Sequence, residues 1–149
     1  MTYLPVDIEK KEHDIFYKDI KDIWDDSDLT LINLEASTLS KEVTEYNKSI
    51  KPSNIHLDVV EEDIEAIKSS GIDLIGYANN HSKDYGVQGF LDSLSIFDKL
   101  DMDYVGAGNN IYEATAPYIK EHEGKKISLW AVTDVVPKDF TARNNIPGV

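Results

Sequence analysis

Segments of helical period alternate along this chain with short, continuous apolar runs. Apolar residues recur at helical spacing in three segments: 14–25, 58–70 and 86–100. Three short runs rich in β-compatible residues lie between and after them: 29–35, 72–77 and 102–108. A further pair of strand-like runs within 118–135 meets at Glu123 and Gly124, which predicts a hairpin. Alternation of helices with short buried strands indicates an α/β fold with a mainly parallel sheet and crossover helices.

Two local predictions concern the region between the first two strands. Residues 36–57 show no sustained period. We therefore predict a long surface excursion there, and its length favours a functional loop over a plain connection. Asp58 is predicted to cap the second helix, with Glu61 three residues later completing a capping box. Gly71 is predicted to end that helix.

The composition limits the classes of partner. Lys and Arg total 15 against 28 Asp and Glu, and the formal net charge of −13 argues against a nucleic-acid or anionic-membrane surface. The chain has no Cys, so any metal must be held by His, Asn or carboxylate groups. No stretch has the length of a membrane span, and the first residues lack a signal-peptide pattern. The 149 residues are expected to form one domain that, as it stands, is soluble and cytoplasmic.

Polar side chains follow two of the predicted strands. They are Asn33 and Glu35 after the first strand, and Asn79, Asn80, His81 and Asp84 after the second. Because the carboxyl ends of parallel strands meet at one edge of a sheet, these groups are expected to converge. Glu35 and Asn80 suit a divalent metal through their oxygens. His81 suits proton donation to a leaving oxygen, provided that Asp84 holds its ring.

Each of these features also has a plainer interpretation. Asn-Asn pairs are common in turns, so residues 79–86 can equally form a loop that caps the helix beginning at Gly86. A strand-end carboxylate such as Glu35 is more often solvated than bound to a metal. The GAG sequence at 106–108 lacks the third Gly of a dinucleotide loop, so it is weak evidence for phosphate binding. Three other histidines are interpreted as surface residues: His13, His56 and His122.

Four segments carry a resemblance to a known family. They are NLE at 33–35, GIDLIGYANNHSKDYGVQGFLDSLSIFDKL at 71–100, GAGNNIYEATAPYI at 106–119 and PGV at 147–149. They resemble the bacterial capsule-synthesis family, the CapA-like poly-γ-glutamate biosynthesis proteins, from Asp28 to the last residue. The pattern of a strand followed by NNHxxDYG is a specific mark of this family. This family is similar in fold to calcineurin-type metallophosphoesterases, so the resemblance implies a partial metallophosphoesterase-like α/β sandwich.

The resemblance also implies roles for single residues. Glu35 and Asn80 correspond to metal-site positions. His81 stands where metallophosphoesterases place a proton-donating His, while Asp84 and Gly86 complete the motif. The weaker candidates are Asn33 and Asn79. In the complete family domain the implied cofactor is a divalent metal, Mn, Fe or Zn.

The chain departs from the family pattern in three places. Family members open with a strand that ends in a Gly-Asp metal ligand, and they continue to a His-Trp-Gly segment and a Gly-His-His-Pro-His segment. None of these occurs in residues 1–149. We therefore expect a single partial domain, the amino-terminal part of the family domain, that binds metal weakly or not at all.

The resemblance thus indicates a protein associated with capsule or poly-γ-glutamate biosynthesis that is inactive alone. One alternative is an active metal-dependent phosphoesterase completed by a second chain. Another is a noncatalytic binding module of an envelope-polymer synthesis complex, since family members are often at the cell envelope. The expected partners are polymer-synthesis proteins or a complementing carboxyl-terminal half, with self-association as a further expectation and no nucleic acid.

Overall fold

The computed structural model describes residues 13–41 and 55–149. Its elements in chain order are α1 (His13–Asp25), β1 (Leu31–Asn33), β2 (Ser37–Leu39), β3 (Asp58–Val60), α2 (Glu61–Ser69), β4 (Leu74–Gly76), α3 (Gly86–Lys99), β5 (Asp103–Val105), α4 (Ile111–Ala114), β6 (Tyr118–His122) and β7 (Lys125–Leu129). None of the helices in these two ranges has the length and apolar character that crossing a membrane requires.

The main sheet has three parallel strands in the order β1-β4-β5. Its middle strand, β4, is fully buried, and α3 forms the crossover from β4 to β5. A parallel pair needs a crossover of this kind because a tight turn cannot join two strands that run in the same direction. The predicted α/β fold with a mainly parallel sheet and crossover helices is therefore confirmed, and it is consistent with an α/β sandwich.

Helix α3 and the end of β4 form the centre of the core. Phe90, Leu94 and Phe97 lie along one stripe of α3 and are buried. Tyr77, directly after β4, is fully buried, and its ring centroid lies 5.1 Å from that of Phe97 in an edge-to-face arrangement. Burying one such aromatic side chain contributes roughly 1.5–3 kcal/mol. The core therefore fixes the point at which β4 leaves the sheet.

The prediction of a surface excursion over 36–57 is wrong at its beginning. Strand β2 is buried and pairs in parallel with β3. Its burial depends on hydroxyl groups: the Thr38 N–H donates to Ser93 Oγ at 2.8 Å, and Ser93 Oγ donates to the Thr38 carbonyl at 3.1 Å. Such a strand has no apolar alternation to reveal it. Residues 42–54 of the excursion lie outside the described residues.

The predicted cap of the second helix is also wrong. Asp58 lies in β3, where its carboxylate accepts a hydrogen bond from the Tyr85 hydroxyl. Helix α2 begins three residues later, and the Asp63 carboxylate accepts the Val60 N–H at 2.9 Å. Three acidic residues in its first turn favour this start, because negative charge is stabilised near a helix N-terminus.

Strand β1 is shorter and more exposed than its sequence predicts. Only Leu31–Asn33 is a strand, and Leu31 is 47% exposed. Its position explains the difference, because β1 pairs on one side only, with β4, among the strands that the structure describes. The fully buried strand predicted over 29–35 is therefore an edge strand in this part of the chain.

The predicted hairpin is confirmed. Strands β6 and β7 pair antiparallel, with Tyr118 opposite Leu129 and His122 opposite Lys125. The turn residues have positive φ, 49° at Glu123 and 73° at Gly124. Such a backbone favours Gly, which explains why the Glu-Gly pair marks the turn.

Candidate functional site

Polar side chains from the ends of β1 and β4 meet at the carboxyl edge of the sheet. The Asn79 amide Nδ2 donates to the Leu34 carbonyl at 2.8 Å and to Asn33 Oδ1 at 3.2 Å. Asn33 Nδ2 in turn donates to Glu35 Oε1 at 3.0 Å. The structure therefore joins three of the candidate residues in one chain of hydrogen bonds.

Asn79 organises the loop that follows β4. Its side chain is buried, and Oδ1 accepts the His81 N–H at 3.0 Å. Its carbonyl accepts the Ser82 hydroxyl at 3.0 Å. An Asn that bonds its own backbone two residues later forms a local turn. The turn interpretation of NNH is therefore correct for Asn79, and this turn is what orients the next residues.

His81 and Asp84 form a close pair within the same loop. The His81 Nδ1 atom lies 2.8 Å from Asp84 Oδ2, and the Asp84 side chain is fully buried while that of His81 is 13% exposed. The same carboxylate oxygen accepts the Leu57 N–H at 2.8 Å. With Asp84 as acceptor, Nδ1 is the ring nitrogen of His81 that donates in this contact. The pair thus has the arrangement of an oriented acid–base group.

Two residues that the sequence did not single out, Ser37 and Tyr77, hold the backbone of this loop through hydrogen bonds. Ser37 Oγ lies 3.2 Å from the carbonyl oxygens of both His81 and Ser82, and these two acceptors share its one proton. The Tyr77 hydroxyl donates to the Ser82 carbonyl at 3.3 Å, and burial raises the Tyr77 pKa well above its usual value, so the hydroxyl stays protonated. These contacts come from β2 and the end of β4. They fix the backbone on which His81 stands.

Lys83 is the least expected member of the loop. It is only 3% exposed, and its Nζ donates to the Asp139 carbonyl at 2.6 Å and to the Pro147 carbonyl at 3.1 Å. Nζ also lies 5.9 Å from the ring centroids of Phe90 and Phe140. Burial lowers the pKa of this ammonium group, while Asp139 opposes the shift. Lys83 therefore ties the loop to the last residues of the chain.

Asn80 and Gly86 complete the motif. Asn80 is half-buried, and its side chain makes no hydrogen bond within 13–41 and 55–149. Gly86 is the first residue of α3, has φ +70°, and donates its N–H to the Lys83 carbonyl at 3.0 Å. The loop and the helix are therefore joined through a backbone conformation that favours Gly.

We expect Gly86→Val to lower the free energy of unfolding by about 1–3 kcal/mol, because a β-branched residue at positive φ is strained. Gln88→Val, two residues further along α3 at an exposed position, is the matched control and should cost less than about 0.7 kcal/mol of helix propensity. Urea denaturation of both variants measures the difference. Equal losses in the two variants would contradict the requirement for Gly.

The candidate donors for a divalent metal are oxygen atoms of residues at the ends of β1 and β4. Glu35 is exposed and offers a carboxylate, and Asn33 and Asn80 carry amide oxygens. No group of three or more His, Asp and Glu in the described part of the chain is arranged to hold a metal ion. Divalent ions bind four to eight ligands in proteins. Glu35 and Asn80 thus remain predicted ligands of an incomplete shell.

The other candidates have structural roles. His56 lies edge-on to Tyr85 with ring centroids 6.2 Å apart, and His122 Nε2 lies 3.5 Å from Asp28 Oδ1. Both histidines are partly exposed at the surface, and each has a neighbour there. The side chain of His13 lies outside the described residues. In the GAG sequence, the Gly108 N–H donates to the Gly148 carbonyl at 3.0 Å, so this amide is used within the fold and not for phosphate.

The chain is similar to known proteins of capsule synthesis. The family model described as "Bacterial capsule synthesis protein PGA_cap" matches residues 4–148. The PGA biosynthesis protein CapA of Bacillus subtilis is 35% identical over 144 residues, 95% of this chain and 36% of the relative. The capsule biosynthesis protein CapA of Bacillus anthracis is 31% identical over 135 residues, 91% of this chain and 32% of the relative.

The chain thus spans about a third of the length of the curated relatives it matches. The match includes the strand ends and the loop of His81 described above, because the family model covers almost the whole chain. The chain belongs to the bacterial capsule synthesis protein family.

Proposed function

We propose that this chain supplies part of a capsule or poly-γ-glutamate biosynthesis protein whose complete domain cleaves a phosphoester with the help of a divalent metal. The observation that carries the proposal is the 2.8 Å contact of His81 Nδ1 with the buried Asp84, at the sheet edge where Asn33, Glu35 and Asn79 meet. Ligands bind at this edge in open α/β sheets. The names of the two Bacillus relatives support the biosynthetic role.

The His81–Asp84 pair suits proton transfer. Asp84 accepts a hydrogen bond from Nδ1 of His81 and so fixes the orientation of the ring. In the proposed reaction, His81 donates a proton to the oxygen that leaves phosphorus. Asn79 places His81 through the backbone, so it positions the acid without transferring a proton itself.

A divalent metal, when bound, would polarise a phosphoryl oxygen. Glu35 and Asn80 are the residues that we propose would hold it, as one side of a larger shell. Because the described part of this chain offers few of the ligands that such an ion needs, we propose that the chain is inactive alone and becomes competent only with the remaining part of the domain.

A chimera tests this function: the present chain replaces the matched region of the Bacillus subtilis relative. We expect Mn²⁺-dependent hydrolysis of bis-p-nitrophenyl phosphate, and His81→Gln should lower its rate by about 10²–10⁴-fold, the usual contribution of a general acid. His122→Gln, a histidine that also faces a carboxylate, is the matched control and should leave the rate unchanged. Turnover that does not depend on His81 would contradict the catalytic role.

A noncatalytic binding module is the second candidate, because no three His, Asp or Glu side chains within 13–41 and 55–149 are arranged to hold a metal ion. The same chimera separates the two functions in a Bacillus subtilis strain that lacks the relative. If the chimera restores polymer synthesis and its His81→Gln variant does so equally well, the chain acts as a module without chemistry. If polymer synthesis fails only in the variant, the catalytic function is supported.

A further inference from the structure

One buried carboxylate joins two segments that each carry a histidine. Asp84 Oδ2 lies 2.8 Å from His81 Nδ1, and the same oxygen accepts the Leu57 N–H at 2.8 Å. Leu57 is directly preceded by His56 in the sequence. Two groups that contact one oxygen atom are close to each other, so the backbone of His56 lies beside the His81–Asp84 pair.

The backbone next to His56 is fixed in place. Both polar main-chain groups of Leu57 are used, because its carbonyl accepts the Ser37 N–H at 3.0 Å while its N–H contacts Asp84. Asp58, the next residue, accepts the hydroxyl of Tyr85. Burial, together with this hydrogen bond, raises the pKa of Tyr85 well above its usual value, so the hydroxyl stays protonated. Residues 56–58 are therefore attached to the two residues that follow Lys83.

The ring of His56 lies against the same motif and reaches the surface. Its centroid lies 6.2 Å from that of Tyr85, and the two rings meet edge-to-face at an interplanar angle of 72°. The side chain of His56 is partly exposed, and that of His81 is 13% exposed. Two imidazole rings that solvent can reach are thus held next to one buried carboxylate, Asp84.

An anion that approaches this edge needs positive charge nearby, because the chain has a formal net charge of −13. Lys83 is the only Lys or Arg in residues 56–58 and 77–86. It is buried, and its Nζ donates to the carbonyls of Asp139 and Pro147. His56 and His81 are then the residues of these two segments that can offer a basic group to an oxyanion.

We infer that His56 is a second substrate-binding residue of the His81 site, and that its ring donates a hydrogen bond to an oxygen of a phosphoryl group. The inference rests on the proposed function for the identity of this anion. A phosphoryl group has more than one oxygen, so His56 can hold one of them while His81 serves the oxygen that leaves. His56 binds the group and transfers no proton in this role.

Nuclear magnetic resonance of the full chain, with inorganic phosphate as the probe, tests the inference at fixed pH and ionic strength. We expect the ring signals of His56 and His81 to shift with one dissociation constant, while those of His122, in β6, stay in place. His56→Gln should raise the dissociation constant measured at His81 about tenfold, the usual order for a hydrogen bond to a charged group. His122→Gln is the matched control and should leave it unchanged. Circular dichroism checks that both variants fold.

The chimera with the Bacillus subtilis relative gives a second readout. With bis-p-nitrophenyl phosphate as substrate, His56→Gln should raise KM about tenfold and leave kcat within about twofold, because a lost binding contact acts on substrate affinity. His81→Gln should instead lower kcat. This split distinguishes a residue that binds the phosphoryl group from one that transfers a proton to it.

Three results would overturn the inference: a His56 ring signal that phosphate leaves unchanged, equal shifts at His122, or a phosphate affinity at His81 that His56→Gln leaves unchanged. The two readouts also separate this inference from the proposed function. Phosphate binding that depends on His56, without turnover in the chimera, would support the inference and contradict phosphoester cleavage. Turnover that depends on His81 but has the same KM in His56→Gln would do the reverse.

Discussion

Asp84→Ala is expected to lower the free energy of unfolding by about 3–5 kcal/mol, because it removes a buried carboxylate that accepts two hydrogen bonds. The Asp84 side chain is fully buried, and Oδ2 accepts both the His81 Nδ1–H and the Leu57 N–H at 2.8 Å. Alanine would leave these two donors without their acceptor. Leu57, next to β3, and His81, in the loop after β4, would lose the carboxylate that both of them contact.

Urea denaturation measures this loss. Asp134→Ala, which removes an exposed carboxylate, is the control and should change the unfolding free energy by less than about 0.5 kcal/mol. Asp84→Asn keeps one acceptor oxygen, so its loss of unfolding free energy should lie between those of Asp84→Ala and Asp134→Ala. A stability of Asp84→Ala within about 0.5 kcal/mol of the unmodified chain would show that the pair contributes nothing to the fold.

Lys83→Met is expected to destabilise the chain by about 2–3 kcal/mol. Methionine retains most of the apolar stem between Phe90 and Phe140 but leaves the carbonyls of Asp139 and Pro147 without a donor. Removing the ammonium group also removes the free-energy cost of burying it, and this gain offsets part of the loss of stability. The lowered pKa of Lys83 reflects that burial cost. We expect the two lost hydrogen bonds to dominate.

Hydrogen exchange locates the effect of Lys83→Met. The amides of Ala142 and Val149 are hydrogen-bonded within the segment that Lys83 holds, and the Gly148 amide ties this segment to the Gly108 carbonyl. All three amides should exchange faster in the variant. Lys138→Met, at an exposed position of the same segment, should leave both their exchange and the stability unchanged. Unchanged protection in Lys83→Met would mean that Lys83 does not hold this segment.

The pH dependence of stability gives Lys83→Met a second signature. Because burial lowers the pKa of Lys83 in the folded chain below its ordinary value, the unfolded chain binds more protons between the two pKa values. This residue therefore adds stability as pH rises through that interval, and the variant should lack the increase.

The sequence predicted those parts of the fold that depend on apolar periodicity. The stripe of α3 and the short runs of β4 and β5 bury carbon-rich side chains, and this burial leaves a pattern in the sequence. The loop after β4 was also predictable, because its polar residues come immediately after a buried strand. The convergence of Asn33 with Asn79 then follows from parallel pairing of β1 and β4.

Other parts depend on partners that are distant in sequence. Strand β2 is buried because Ser37 and Thr38 find hydrogen-bond partners more than 40 residues away, at His81 and Ser93. Lys83 is buried because two carbonyls from the last residues accept its protons. A hydroxyl or an ammonium group in a polar stretch is normally solvated, so neither case leaves a local signal.

The most direct test of the metal-site assignment is the broadening of NMR signals of the chain by Mn²⁺, which detects even weak binding. We expect a dissociation constant of about 10⁻⁴–10⁻³ M, at the weak end for oxygen ligands, because few ligands are present. Broadening should be strongest at the side-chain amides of Asn80 and Asn33 and the ring of His81, and Glu35→Gln should remove it. Broadening confined to acidic surfaces such as α1, unchanged by Glu35→Gln, would contradict a metal site at the strand ends.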